Sequence, residues 1–155
     1  MAKNSSLTVV ESTVNWLNAK SGGEKINILG AHTNVSRING SNGSQNITVS
    51  DGANVENIST GKDDDSVTIT NGATAGKINT GEGSDSVTIN NSNLQGKINT
   101  GSGDDEINIS DATLNNKVKA GWGSDTVNIK SSKVNANISS GFFGDNTFNL
   151  VDTNV

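Results

Sequence analysis

The chain repeats one pattern every 20 residues, and that period constrains its fold more than any other property. STGKDDDSVTIT (59–70), NTGEGSDSVTIN (79–90), NTGSGDDEINIS (99–110) and KAGWGSDTVNIK (119–130) align without gaps. Apolar residues fall into columns at this spacing. Ile58, Ile78, Ile98, Val118 and Ile138 form one; Ile47, Val67, Val87, Ile107 and Val127 a second; Val49, Ile69, Ile89, Ile109 and Ile129 a third. A fixed period of this length marks a solenoid, in which no unit buries its own apolar face but stacked units bury a continuous one. Val67 and Ile69 flank polar Thr68, the period-two alternation of a strand. Equal intervals separate Ile69 from Ile78 and Ile78 from Val87. Each coil is therefore expected to hold two short strands and two turns. The expected fold class is all-β: a parallel β-solenoid (β-roll or β-helix) of about seven coils of 20–21 residues.

Composition makes sense only in that frame. Hydrophobic residues are 30% of the chain, and Ile, Leu, Val and Phe together number 35 of 155, near the range of chains too polar to fold. Concentrated in columns, so few suffice. The outward positions Asn27, Thr48, Thr68, Thr88, Asn108, Asn128 and Asn149 form one file, and such ladders support parallel stacking through side-chain hydrogen bonds. The absence of cysteine excludes disulfides, thiolate metal sites and cysteine nucleophiles. No apolar run is long enough for a transmembrane helix, so no membrane insertion is expected. A net charge of −5 argues against nucleic acid as a partner.

The repeat is expected to fill one domain over 1–155. Residues 59–139 hold the regular coils, 21–58 degenerate ones and 140–155 a terminal coil whose extra residue brings Phe148 and Leu150 into the columns. A spacing of 21 carries Ile38 back to Leu17, Ile47 to Ile26, Val49 to Ile28 and Ile28 to Leu7, making 1–20 a degenerate first coil. The alternative is an N-terminal cap, an amphipathic helix over 5–17 with Leu7, Val10, Val14 and Leu17 on one face.

One turn per coil carries chemistry. It reads Gly61-Lys-Asp63-Asp-Asp65, Gly81-Glu-Gly83-Ser-Asp85, Gly101-Ser-Gly103-Asp-Asp105 and Gly121-Trp-Gly123-Ser-Asp125. Three of the four satisfy G-x-G-x-D-x-[VI]-x-[VI]; the first has Asp63 at the second glycine position. Glycine permits positive φ and leaves carbonyls open to a cation, and a carboxylate is the hard oxygen donor that Ca²⁺ prefers. Ten of the sixteen acidic residues, including Asp63, Asp64, Glu82, Asp104 and Glu106, lie in this file of turns. Stacked one coil apart they repel by about 1 kcal/mol per pair even in water, which divalent cations would reverse. The opposite turns (71–77, 91–97, 111–117) lack the motif and look like plain turns, with Asp51, Asn71, Asn91 and Asp111 where a left-handed residue is useful.

These turns resemble the hemolysin-type calcium-binding repeat, the RTX β-roll, with its G-G-x-G-x-D-x-U-x pattern. Thr80 to Thr88 matches with Thr in place of the first glycine. The resemblance implies that Asp65, Asp85, Asp105 and Asp125 are Ca²⁺ ligands. Carbonyls around Gly61/Asp63, Gly81/Gly83, Gly101/Gly103 and Gly121/Gly123 would help, and the repeats would be disordered until calcium arrives. The usual coil of that family has two such turns; here there is one, so a single file of ions is expected. Glu24 and Gln45 stand at the aspartate position of the early coils, which should bind little; in the last coil Asp145 or Asn146 takes that place.

Catalysis finds little support. The single histidine, His32, sits in a degenerate turn, and paired carboxylates recur in every coil, unlike an active site; no enzyme is expected. Lys77, Lys97 and Lys117, with Arg37 in the same column, read as a solvated outer face. Trp122, Phe142 and Phe143 read as a lid or as a docking patch. The start MAKNSSLTVVEST lacks a secretory leader pattern, while RTX-like proteins leave through an uncleaved C-terminal signal, so an extracellular or cell-surface location is expected. Three functions fit: a calcium-bound structural solenoid that stacks end to end into a fibre or matrix, a calcium-folding module of a larger adhesin or toxin, and an ice-binding protein presenting Thr/Asn ladders. A cell-surface or matrix partner would accompany the first two.

Overall fold

The computed structural model describes residues 5–19, 23–141 and 143–154. These residues form two parallel sheets and no helix, wound as a β-solenoid of about seven coils. The first sheet has eight strands: Ser6–Val10, Lys25–Leu29, Asn46–Ser50, Ser66–Ile69, Ser86–Asn90, Glu106–Ser110, Thr126–Lys130 and Thr147–Val151. Its register is the one the columns require: Val67 pairs with Val87, Val87 with Ile107, and Val127 with Phe148. The second sheet has eleven strands. It runs through Asn34–Asn39, Asn54–Lys62 and Thr74–Glu82, and then through pairs of shorter strands such as Asn93–Leu94 with Ile98–Ser102.

The core lies between the sheets. Ile47, Ile58, Ile69, Ile78, Ile89, Ile98 and Ile107 are fully buried, and the cluster is continuous from Val9 to Val134. The outward Thr/Asn file is also in place, and Asn149 donates to Asn128, which donates to Asn108, each at 2.7 Å. The plain turns reverse through left-handed residues, with φ of 57° at Asp51, 53° at Asn71, 46° at Asn91 and 50° at Asp111.

Two features differ from the sequence expectation. Residues 6–18 take the coil, not the helix: Ser6–Val10, Thr13–Val14 and Leu17–Asn18 are strands. The spacing of 21 holds for Leu17 with Ile38, Ile26 with Ile47 and Ile28 with Val49, but the interval from the first strand to the next in its sheet is shorter. Leu7 pairs with Ile26 and Val9 with Ile28, rather than Leu7 with Ile28. The shorter coil sets an apolar pair on an apolar pair, where the longer one would leave Ile26 over a serine.

The second difference is a compensated shift within the period. Leu94 pairs with Ala75, 19 residues earlier, while Ile98 pairs with Ile78, 20 earlier. One residue is lost from the plain turn and one gained at a kink in the second sheet. Leu94 and Leu114, both fully buried, thereby occupy the column of Val55 and Ala75.

Candidate metal centre

The G-x-G-x-D turns join the second sheet to the first and stack along one edge of the rod, Gly61 over Gly81, Gly81 over Gly101 and Gly101 over Gly121. The glycines are required by the stacking itself. Gly101 has φ of 112°, and a Cβ there would lie 2.0 Å from the Gly81 carbonyl oxygen. Gly81, Gly121, Gly83, Gly103 and Gly123 repeat this approach to the preceding coil. Asp63 takes the left-handed conformation of the second glycine with φ of 67°, and its Oδ2 accepts the Gly43 N–H at 2.7 Å.

Asp65, Asp85, Asp105 and Asp125 turn inward and are at most 3% exposed. Each Oδ1 accepts the backbone N–H of the residue one coil earlier. Asp65 takes Gln45 N–H at 2.7 Å, Asp85 takes Asp65 N–H at 2.8 Å, Asp105 takes Asp85 N–H at 2.8 Å, and Asp125 takes Asp105 N–H at 3.1 Å. In the last coil Asn146 holds this place, its Oδ1 accepting Asp125 N–H at 2.8 Å, while Asp145 is exposed beside Ser124. The file is thus a latch from coil to coil, and an uncharged amide can serve in it.

The sequence reading passed over the partner of this file. Thr60, Thr80 and Thr100 are fully buried immediately before the motif. The Thr60 hydroxyl donates to the Thr80 carbonyl at 2.9 Å, Thr80 to the Thr100 carbonyl at 3.0 Å, and Thr100 to the Ala120 carbonyl. The signal was the recurring T-G that stood where the RTX pattern has two glycines. Each hydroxyl has one proton, and it is directed at a carbonyl. Oδ2 of all four aspartates is left buried without a hydrogen-bond partner.

Burial therefore pushes these carboxyls up: Asp65 and Asp105 rise from 3.8 to about 6, and Asp85 and Asp125 rise as well. The latch amides, whose N–H groups bond Oδ1, hold the rise partly down. Neighbouring carboxylates add to the rise. A file of buried, partnerless carboxylate oxygens can relieve this in two ways: by taking protons, or by taking a hard cation.

The donor set fits calcium in part. It offers one charged oxygen per coil, on successive coils, with threonine oxygens alongside. Among the described residues, no three Asp, Glu or His side chains converge on one point. A cation here would therefore draw its charged ligands from two successive coils, with neutral oxygens making up the six to eight that calcium takes. Fold and site define a repeat protein of the parallel β-solenoid class. Comparison with protein-family models, curated proteins and solved structures finds no match.

Proposed function

We propose that this chain is a non-enzymatic structural solenoid of the RTX β-roll type, with Ca²⁺ bound along the Asp65, Asp85, Asp105 and Asp125 file. The observation that carries the proposal is the run of four buried Oδ2 atoms without partners, one per coil. Backbone donors reach Oδ1 alone, and a divalent ion at Oδ2 would convert repulsion along the stack into cross-linking. Calcium is abundant outside cells, where modules of modest affinity suffice, which supports an extracellular or cell-surface location.

End-to-end association into a fibre or matrix is supported by the two ends of the rod. Leu7 and Val10 are 46% and 48% exposed on the first coil, and Phe148 and Leu150 41% and 49% on the last. Both ends present a strand edge, and Leu7 at one and Phe148 and Leu150 at the other stand in the same columns as the core. A second copy would continue those columns and pair the open edges; in an adhesin or toxin, neighbouring segments of a longer chain would do so.

A circular dichroism titration of the metal-stripped protein tests the calcium reading. The expected result is a gain of β signal, or of thermal stability if the chain is already folded, with Ca²⁺ and not with Mg²⁺. An unchanged spectrum and melting temperature in millimolar Ca²⁺ would overturn it.

A further inference from the structure

Charge is segregated around this rod. The acidic residues gather in the turns, whereas six of the eleven basic residues stand on the outer face of the second sheet: Arg37, Lys77, Lys97, Lys117, Lys119 and Lys133. In the strands of that face only Glu56 is acidic, between the motif turns and the plain turns. Lys62 pairs with Glu82 at 3.2 Å in the motif turns, away from these six cations, and Glu56 is the one carboxylate set among them.

One column of this face orders the cations along the rod. Arg37, Asn57 and Lys77 are in register, and Lys97 and Lys117 continue the line, each directly before the paired Ile98 and Val118. The column is exposed except at Asn57, which is half-buried. Successive members stand about 4.8 Å apart, the strand spacing. Beside it runs a polar column, Asn39, Ser59, Asn79 and Asn99, in which Asn99 donates to Asn79 at 2.8 Å. Between the two columns lies a shallow cleft lined by Arg37, Asn57, Lys77 and Asn79. At its N-terminal end Trp16 is 59% exposed, its ring centroid 5.9 Å from the Arg37 guanidinium carbon.

We infer that this face binds a linear acidic polysaccharide, a uronate-bearing glycan lying along the rod axis across the Arg37, Lys77, Lys97 and Lys117 column. An extended chain laid along the rod axis presents carboxylates repeatedly to Arg37, Lys77, Lys97 and Lys117, which stand one or two strand spacings apart. The amide column supplies donors and acceptors for ring hydroxyls, and the exposed indole a flat apolar surface for a sugar face. Nucleic acid fits less well, because one exposed aromatic residue beside the cation column is a poor stacking platform. The face is separate from the aspartate file, so the inference does not depend on calcium binding.

The test uses the whole protein and short oligogalacturonates, too short to gel with calcium, in low-salt buffer with calcium, read by calorimetry. Binding is expected to weaken at least tenfold in a Lys77→Gln/Lys97→Gln/Lys117→Gln variant and as salt is raised. It should weaken several-fold in Trp16→Ala and be lost with the methyl-esterified oligomer, all with unchanged circular dichroism. Absence of binding, equal binding by the triple variant, or equal binding of the esterified oligomer would overturn the inference. So would tighter binding of oligothymidylate than of oligogalacturonate.

Discussion

An Asp105→Asn substitution separates the two roles of the aspartate file. Oδ1 of Asp105 accepts the Asp85 N–H at 2.8 Å, and asparagine keeps that acceptor, as Asn146 does for Asp125 at the same distance. What changes is the second oxygen, which is buried without a partner. Burial lifts this carboxyl from 3.8 to about 6. At about 1.4 kcal/mol per pKa unit, keeping it ionised at pH 7 costs the metal-free fold up to about 3 kcal/mol. Asparagine removes that cost but introduces an N–H₂ group, for which the Thr100 hydroxyl oxygen is the nearby acceptor. The net expectation is a gain of about 1–2 kcal/mol in chelator, or a melting temperature higher by about 2–8 °C for a chain of this length. In calcium the sign reverses, because the variant lacks one charged ligand and gains less from the ion than the wild type does. Differential scanning calorimetry in both conditions reads the two effects. A chelated variant that melts below the wild type would mean instead that the carboxylate charge is stabilising on its own.

The same carboxyls set a pH dependence in chelator. Because the folded state holds their protons more tightly than the unfolded chain, their contribution is fully present below about pH 4 and is lost as pH rises through about 6. The metal-free protein should therefore melt higher at pH 5 than at pH 7.5, and a flat profile would contradict this. Gly101→Ala meets a carbonyl at 2.0 Å and a φ of 112°, whereas Gly72→Ala, at φ of 74°, meets nothing within 4 Å. Urea unfolding should show a loss of about 1–2 kcal/mol for the second, from backbone strain alone, and about 3 kcal/mol or more for the first. Leu114→Ala, at a fully buried position, should cost about 2–5 kcal/mol in the same assay. Phe148→Asp should reduce end-to-end association in sedimentation velocity at high protein concentration while leaving the melting temperature within a few degrees, because Phe148 is 41% exposed.

Most of the architecture was legible because a solenoid writes its register into its period. Once Val67, Val87 and Ile107 are seen 20 residues apart, the pairing of their strands follows. The period hides changes that cancel within it. The shift that brings Leu94 opposite Ala75 leaves the spacing of every motif residue intact, so only the size of the core side chains hinted at it. The first coil slipped because Leu7 and Val9 have two apolar partners two residues apart, and either register keeps both side chains on the core face. At the site, the sequence located Asp65, Asp85, Asp105 and Asp125 but gave no reason to expect both motif glycines to serve the stacking. It also did not show that one aspartate oxygen is already used as a latch. Those are close-approach effects between coils, and a one-dimensional pattern records only that small residues recur.

Isothermal calorimetry of the metal-stripped protein with Ca²⁺, alongside an Asp85→Asn/Asp105→Asn variant that keeps the latch acceptors, tests most directly whether the aspartate file holds calcium. Saturable binding of more than one ion to the wild type is expected, with fewer ions bound by the variant and no comparable heat with Mg²⁺. Absence of Ca²⁺ binding to the wild type, or the same stoichiometry in both proteins, would contradict it.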